Sequence, residues 1–317
     1  MSIVRDKIKE QRPNIKTSTL DSYYQYLRKL HQMVSGSKDL PTNLDYLRDF
    51  EKVEGLMKKY KPNTKKNYYS AIVVALKAFG GDPSLTRKYE IGRDKVQDQY
   101  DLVVKSNKKT DKQKENWVSL AEYDALLSKY KADIKSNKLF KKQPLSRKEE
   151  DTLKEYIVLL TYRHLPLRND FVMRVLTMAK YKKLSTEDRE SNNFMVGTKG
   201  LGYKFHINDY KTKKTFGNKT INIPRPLEIE IKKYMSQNRT GYYLTNSKGE
   251  PISANGISKL LNKVFQTAYG KNVSSSMIRH IILSAKYGSS GILDEMKNDS
   301  YNMGHSLDTQ KDYTKTN

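Results

Sequence analysis

Apolar residues recur at helical spacing through the first third of the chain. Leu20, Tyr24, Leu27, Leu30 and Val34 lie three or four apart, behind Thr17 to Thr19, which offer N-caps. A loop with Gly36, Pro41 and Thr42 follows. Leu44, Leu47, Phe50, Leu56 and Met57 mark a second helical region that ends before Pro62. Thr64 opens a third helix with Tyr68, Ile72, Ala75, Leu76 and Phe79 on one face, stopped by Gly80-Gly81-Asp82-Pro83. A fourth is expected over 85–105. Residues 106–115, SNKKTDKQKE, contain no apolar side chain and read as a linker.

Beyond the linker come Trp117 and two capping boxes, Ser119-Leu120-Ala121-Glu122 and Ser146-Arg147-Lys148-Glu149. They open helices carrying Tyr123, Leu126, Leu127 and Tyr130, then Tyr156, Ile157, Leu159 and Leu160. The basic stretch from Lys135 to Lys142 reads as a loop. Between Phe194 and Pro224 the period changes to two. Residues 203–207 and 220–223 alternate as strands, separated by a lysine-rich turn containing Gly217-Asn218. Helices resume near Arg225, Ser253 and Ser276. No internal repeat is visible. The pattern predicts a mainly α protein with a small antiparallel β-sheet, divided into 1–105, a linker at 106–115, and 116–317.

Composition narrows the partner. Sixty Lys and Arg oppose 35 Asp and Glu, a formal net charge of +25 over 317 residues. Such an excess seeks polyanions. Charge alone leaves nucleic acid, acidic membrane and ribosome open, and the abundant Lys, Asn and Tyr also fit an AT-rich genome. Cys is absent, which excludes disulfides, zinc fingers and thiol chemistry. No apolar run approaches the roughly 20 residues of a membrane span. The start, MSIVRDKIKEQRPN, is charged where a signal peptide needs an apolar core. The expectation is an intracellular protein with no membrane partner. A nuclear signal at Lys108-Lys109-Thr110-Asp111-Lys112 is a weaker reading than a linker.

The candidate chemistry lies near the end of the sequence: Arg279-His280, then Gly304-His305-Ser306, then Tyr313. Phosphodiester transfer without a metal needs an arginine to bind a phosphate oxygen, a histidine to hydrogen-bond the phosphate, and a tyrosine to attack phosphorus. This order resembles the C-terminal signature of the tyrosine recombinase (phage-type integrase) family. That family usually shows an Arg-His pair, a Leu-Gly-His-Ser turn and a tyrosine. The resemblance implies a helical core-binding domain, to which TKKNYYSAIVVALKAF is similar, joined to a tyrosine-recombinase catalytic domain. In the family the two clamp duplex DNA. Lys65, Lys66 and Lys77 on that helix are candidate phosphate contacts.

The resemblance assigns further residues. The family's first arginine follows a tight turn, and Leu167-Arg168-Asn169-Asp170 offers Arg168, with Pro166 where glycine is usual. Arg163 is a less favoured choice, because it sits in the apolar helix register. Asp170 is a candidate to orient an arginine or cap the next helix, although the family's acid usually lies one residue further on. A lysine in the turn of the small sheet protonates the leaving 5′ oxygen in the family. Lys211 is chosen here, with Lys213 and Lys214 open as alternatives or backbone contacts. Three positions before Arg279 the family carries histidine or lysine. Ser276 stands there instead, a hydrogen-bond donor but a poor base, which leaves His280 or a water for the role. His280 otherwise reads as a core residue. The step from His305 to Tyr313 is one residue shorter than the commonest family spacing. Tyr301, ahead of the Gly-His-Ser turn, is the poorer nucleophile.

The implied activity is site-specific recombination or integration through a 3′-phosphotyrosyl intermediate, with neither ATP nor metal as cofactor. A virus or mobile element is the implied source. Double-stranded DNA is the implied partner, with a homotetramer on two DNA sites and a monomer in free solution. A eukaryotic host would place it in the nucleus or a viral replication compartment. A type IB topoisomerase shares the chemistry, and a catalytically decayed DNA-binding scaffold would share the fold.

The charge generates a prediction. Each phosphate neutralised adds about 0.9 to the slope of log Kd against log salt. If six or more are engaged, affinity for a duplex falls by about 10³-fold or more between about 50 and 200 mM salt. Fluorescence anisotropy with a labelled duplex measures the slope, and a flat response would remove DNA as the target of this charge.

Overall fold

The computed structural model describes residues 2–39, 42–171, 173–287 and 293–315. Two compact units divide the chain, Met1–Ser106 and Asn107–Asn317.

The first unit is helical: α1 (Ile3–Gln11), α2 (Thr17–Ser35), a 3-10 turn (Asp45–Leu47), α3 (Phe50–Met57), α4 (Pro62–Ala78) and α5 (Pro83–Lys105). Helix α4 is its centre, because Tyr68, Tyr69 and every residue from Ala71 to Leu76 are buried. Helices α1, α2 and α5 pack around it. Several helix starts differ from the sequence expectation. Lys16, not a threonine, precedes α2. Pro62 opens α4 two residues before Thr64, in the first turn, where a missing N–H costs nothing. The Gly-Gly-Asp-Pro stop also starts α5, since the Asp82 side chain accepts from the Ser84 and Leu85 amides. Helix α1 was not anticipated in the charged N-terminal stretch, yet Val4 and Ile8 are buried. Pro41 of the expected loop lies outside the described residues.

The second unit begins inside the segment read as a linker. There Thr110 and Gln113 form a capping box that opens α6 (Asp111–Asn116). It continues through α7 (Leu120–Ser136) and α8 (Arg147–His164), whose expected capping boxes form. Helix α7 runs into the stretch expected as a loop. Next come β1 (Arg174–Thr177), α9 (Met178–Lys182), α10 (Thr186–Ser191), β2 (Phe194–Thr198), β3 (Gly202–Ile207), α11 (Lys213–Phe216) and β4 (Lys219–Asn222). Then follow α12 (Arg225–Gln237), α13 (Ala254–Tyr269), α14 (Ser275–Tyr287), α15 (Leu293–Met303) and α16 (Leu307–Tyr313).

The sheet runs β1-β2-β3-β4. Pairs β2–β3 and β3–β4 are antiparallel, as expected, but β1 pairs parallel with β2, with Arg174 opposite Phe194. The expected small, mostly antiparallel sheet is present, with β1 as an additional parallel edge strand. The physical reason is the connection: α9 and α10 carry the chain back across before β2, and a crossover delivers a parallel strand. Helix α8 is the core of this unit, with Leu153, Ile157, Val158 and Leu159 buried. Buried hydroxyls are satisfied, Tyr123 donating to the Leu159 carbonyl at 2.8 Å and Thr161 meeting Tyr243 at 2.6 Å. Among the described residues no helix is long and apolar enough to cross a membrane.

Gly202 opens β3 at φ +82°, and a Cβ there would lie 2.3 Å from Glu228 Oε1. Glu228 cannot easily yield, being held by Lys232 at 2.6 Å and Arg225 at 3.2 Å. Gly202→Ala should therefore destabilise this unit by about 1–3 kcal/mol. The single tryptophan, Trp117, lies in the same unit, so urea unfolding followed by its fluorescence measures the loss.

Candidate active site

Helix α8 ends at His164, and a tight turn follows in which the Leu167 amide donates to the Leu165 carbonyl at 2.7 Å. That turn presents Arg168. Asn169 anchors it, accepting from the Tyr162 hydroxyl and donating to the Ala254 carbonyl at 2.7 Å. Arg163, the less favoured arginine, is engaged with Asp124 at 2.6 Å. Arg279 projects from α14 and is buried.

Positive charge gathers here. Arg168, Arg279 and Lys219 all act electrostatically on His305. Asp170 lies in the same field. Burial raises its carboxyl pKa, and Arg168 and Arg279 oppose that rise. Arg168 Nη1 and Arg279 Nε are buried and find no partner among the described residues. Buried guanidinium nitrogens are normally hydrogen-bonded. Two of them left open near one centre describe a seat for an anion, since a phosphate can accept from both.

Tyr313 is packed at this seat. Its hydroxyl accepts from Arg279 Nη1 at 3.0 Å. Its ring stacks on His305 at 5.2 Å and lies against His280 at 4.7 Å. The Tyr313 carbonyl accepts from His280 Nδ1 at 3.1 Å and Ser284 Oγ at 3.2 Å, and Ser284 Oγ accepts from the Lys315 amide at 2.7 Å. Leu283, Tyr287 and Met303 form a small apolar cluster against which Tyr313 packs. Tyr301, the poorer nucleophile, instead offers its carbonyl to Lys219.

His305 follows Gly304, which turns the chain at φ +69° between α15 and α16. Its Nε2 meets Gln310 Oε1 at 2.5 Å, while Nδ1 has no partner among the described residues. With the amide oxygen as acceptor, Nε2 carries the ring proton and Nδ1 keeps a free lone pair. Burial first, then the surrounding cations, bring the His305 pKa down to about 4. Burial likewise takes His280 down to about 4, against the opposing hydrogen bond to Tyr313. Both rings are neutral near pH 7.

The structure thus brings together Arg168, Arg279, His305 and Tyr313, and adds Lys219 and His280. Lys211 sits on the connection between β3 and β4 and is exposed, as is Lys214. Lys213 is tied by its Nζ to the Glu190 carbonyl at 2.6 Å. Ser276 is exposed on the first turn of α14. In the first unit, Lys65 and Lys66 are half-buried, and Lys77 is paired with Glu90 at 2.7 Å.

Sequence reading missed Lys219 and Asn193, and left His280 between two roles. Lys219 is 1% exposed, and burial then Arg168 draw its pKa down to about 8. The signal was its parity, because alternation along β4 puts it on the inward side with Ile221. His280 reads as core and is indeed largely buried, but it also touches the tyrosine. Asn193 carries no pattern at all. Its Nδ2 donates to the Asp170 and Asp209 carbonyls at 2.7 and 2.8 Å, and its Oδ1 accepts from the Asn208 and Asp209 amides. It thereby ties the Arg168 turn to the β3–β4 connection.

No protein-family model matches the chain, and no curated protein matches it. Solved structures do. The Tn1549 transposon integrase in complex with a circular intermediate DNA matches with a TM-score of 0.56 at 16% identity, over 100% of this chain and 96% of that one. The XerH site-specific recombinase bound to palindromic difH substrate, in a post-cleavage complex, matches with a TM-score of 0.54 at 14% identity, over 97% of this chain and 79% of that one. The chain therefore has the fold of the tyrosine recombinases and integrases, a helical unit followed by a mainly helical unit with a small sheet.

The two neutral histidines predict acid sensitivity. An ordinary histidine titrates near 6.5. Below that pH the unfolded chain binds protons that the native state refuses, so stability is lost as pH falls from about 6.5 through about 4. The drop in urea midpoint between pH 7 and pH 5, read from Trp117, should be smaller in a His280→Gln/His305→Gln double variant. An equal drop would show that other groups set it.

Proposed function

We propose that this chain cleaves and rejoins DNA strands as a site-specific tyrosine recombinase. The observation that carries the reading is the Tyr313 hydroxyl held against Arg279, its ring stacked on His305, with Arg168 in the same field.

A DNA phosphodiester enters the anion seat, and its non-bridging oxygens accept from Arg168 and Arg279. These donors strengthen as negative charge builds on the oxygens at the transition state. Tyr313 Oη forms a bond to phosphorus as the bond from phosphorus to the 5′ oxygen breaks. The tyrosine proton passes to His305 Nδ1. Ser276 is exposed and a poor base, and the incoming phosphate's charge offsets the cations that depress His305. The 5′ oxygen takes its proton from Lys211, whose exposed side chain is free to follow the DNA. The product is a 3′-phosphotyrosyl bond and a free 5′ hydroxyl. Attack by a partner strand's 5′ hydroxyl reverses each transfer. The phosphodiester's energy is kept in the covalent intermediate, so no nucleotide cofactor is needed.

The first unit takes the role of the core-binding domain, with Lys65 and Lys66 against the DNA backbone. Lys77 joins them on leaving Glu90. Exchange requires two cleaved sites side by side, hence an assembly of protomers, here a tetramer. The likeness to the Tn1549 transposon integrase supports a mobile element as the setting.

The test uses a nicked duplex whose sequence is selected for binding to the chain from a random pool. The intact chain should give a covalent adduct that survives denaturation, and Tyr313→Phe none. Arg168→Ala and Arg279→Ala should each slow adduct formation by about 10²-fold or more. DNA binding without any adduct would leave a non-catalytic scaffold. Relaxation of supercoiled plasmid lacking the selected site would instead indicate a topoisomerase.

A further inference from the structure

Lys219 opens β4 and points inward among three aromatic rings. Its Nζ lies 4.5 Å from the centre of Tyr210, 5.4 Å from Tyr301 and 5.5 Å from Phe216. It donates to the Tyr301 carbonyl. Thr212 Oγ1, on the same β3–β4 connection, donates to the Gly304 carbonyl at 2.6 Å. Both acceptors lie at the end of α15, where a helix leaves its last carbonyls without internal partners. Cations and hydroxyl donors there complete the helix and meet its negative end.

Gly304 belongs to the same arrangement. A Cβ at that position would lie 2.6 Å from Lys219 Nζ and 2.8 Å from Thr212 Oγ1. Only glycine lets both donors reach the turn, quite apart from its positive φ. Two amides of the turn fold back on α15 as well, Gly304 to the Tyr301 carbonyl at 3.0 Å and His305 to the Ser300 carbonyl at 3.1 Å. The same Tyr301 carbonyl thus accepts from Lys219 and from Gly304.

We propose that Lys219 and Thr212 are positioning residues, a clasp that holds the His305 turn against the β3–β4 connection. The histidine that meets the phosphate and the connection that carries Lys211 then move as one body. This rests on the strand-transfer reading above. A methionine would fill the same aromatic cage, so the ammonium has to be explained by its donors. A buried ammonium near Arg168 is expensive, and the rings and the helix-end carbonyl offset that cost. The Lys219 ammonium is committed to Tyr301, whereas Lys211 is exposed. Lys219 is for that reason assigned to holding the turn and Lys211 to the proton.

Two measurements on Lys219→Met and Thr212→Val test the clasp. The first is single-turnover cleavage at saturating protein, on the selected nicked duplex and on a copy with sulfur replacing the bridging 5′ oxygen at the scissile phosphate. A thiolate leaves without being protonated, so a lost proton donor is rescued by sulfur and a misplaced histidine is not. The expected result is a slowing of about tenfold or more in Lys219→Met, by the same factor on both substrates, with unchanged DNA affinity. Thr212→Val should slow cleavage less. Rescue by sulfur, or cleavage at the intact rate, would overturn the proposal.

The second measurement is amide hydrogen exchange by NMR on the full chain without DNA. Exchange at Gly304 and His305 should quicken in both variants while amides within α8 keep their protection. Unchanged exchange at the turn would overturn the clasp even if cleavage fell. If the intact chain forms no adduct on either substrate, the strand-transfer reading fails, and exchange alone decides whether the clasp exists.

Discussion

The second unit holds a concentration of positive charge that its described residues only partly offset. Arg168, Arg279 and Lys219 share one electrostatic field with His305, and Asp170 is the acid that faces them. Like charges in a half-buried site repel, and each has lost part of its hydration. The chain bears this because its core elsewhere is ordinary: α8 wrapped by α7, α12 and α13, with hydroxyls paired and apolar side chains dry. Part of that stability goes to holding two guanidinium groups with open nitrogens. The same open nitrogens are what a phosphodiester would find.

The local devices that sustain this charge are polar and small. Asn169 fixes the turn that presents Arg168, and Asn193 joins that turn to the β3–β4 connection. Thr212 and Lys219 carry the link on to the histidine turn. His280 and Ser284 hold the tyrosine's own backbone. These hydrogen bonds run from the Arg168 turn through the β3–β4 connection to the histidine turn, and a separate pair fixes Tyr313 to α14. Both histidines stay neutral chiefly because they are buried, and the nearby cations reinforce this.

Residues that must be a particular chemical type in a particular order were legible in the sequence. Arg168, Arg279, His305 and Tyr313, which the structure brings together, were readable because the proposed phosphoryl chemistry leaves few substitutes for them. The capping boxes at Ser119 and Ser146 were readable because a helix start needs its donors satisfied. Residues whose job depends on a distant partner were not. Nothing local marks Asn193, whose four bonds go to backbone far along the chain. Lys219 was half visible, as a lysine at an inward position of an alternating strand. The lysine-rich turn beside it drew attention to Lys211, Lys213 and Lys214, which lie on the connection between β3 and β4, where no strand period applies. The parallel strand β1 was missed because four residues with a part-exposed pattern give no period. Helix α6 hid in a segment without apolar residues, held by its Thr110 box and by Asn116, whose side chain accepts from the Asn272 amide at 2.6 Å.

One contact has a meaning beyond geometry. Arg279 gives an N–H to the tyrosine hydroxyl itself. The Tyr313 side chain therefore acts as a placeholder, sitting on a donor that an anion would claim. Stray inorganic anions must evict an aromatic side chain that is stacked on His305, lies against His280 and is anchored by its carbonyl. A DNA backbone gripped at many points can do this, whereas a lone ion in solution has only its own charge to offer. The anion seat is in this way guarded by the side chain packed against it.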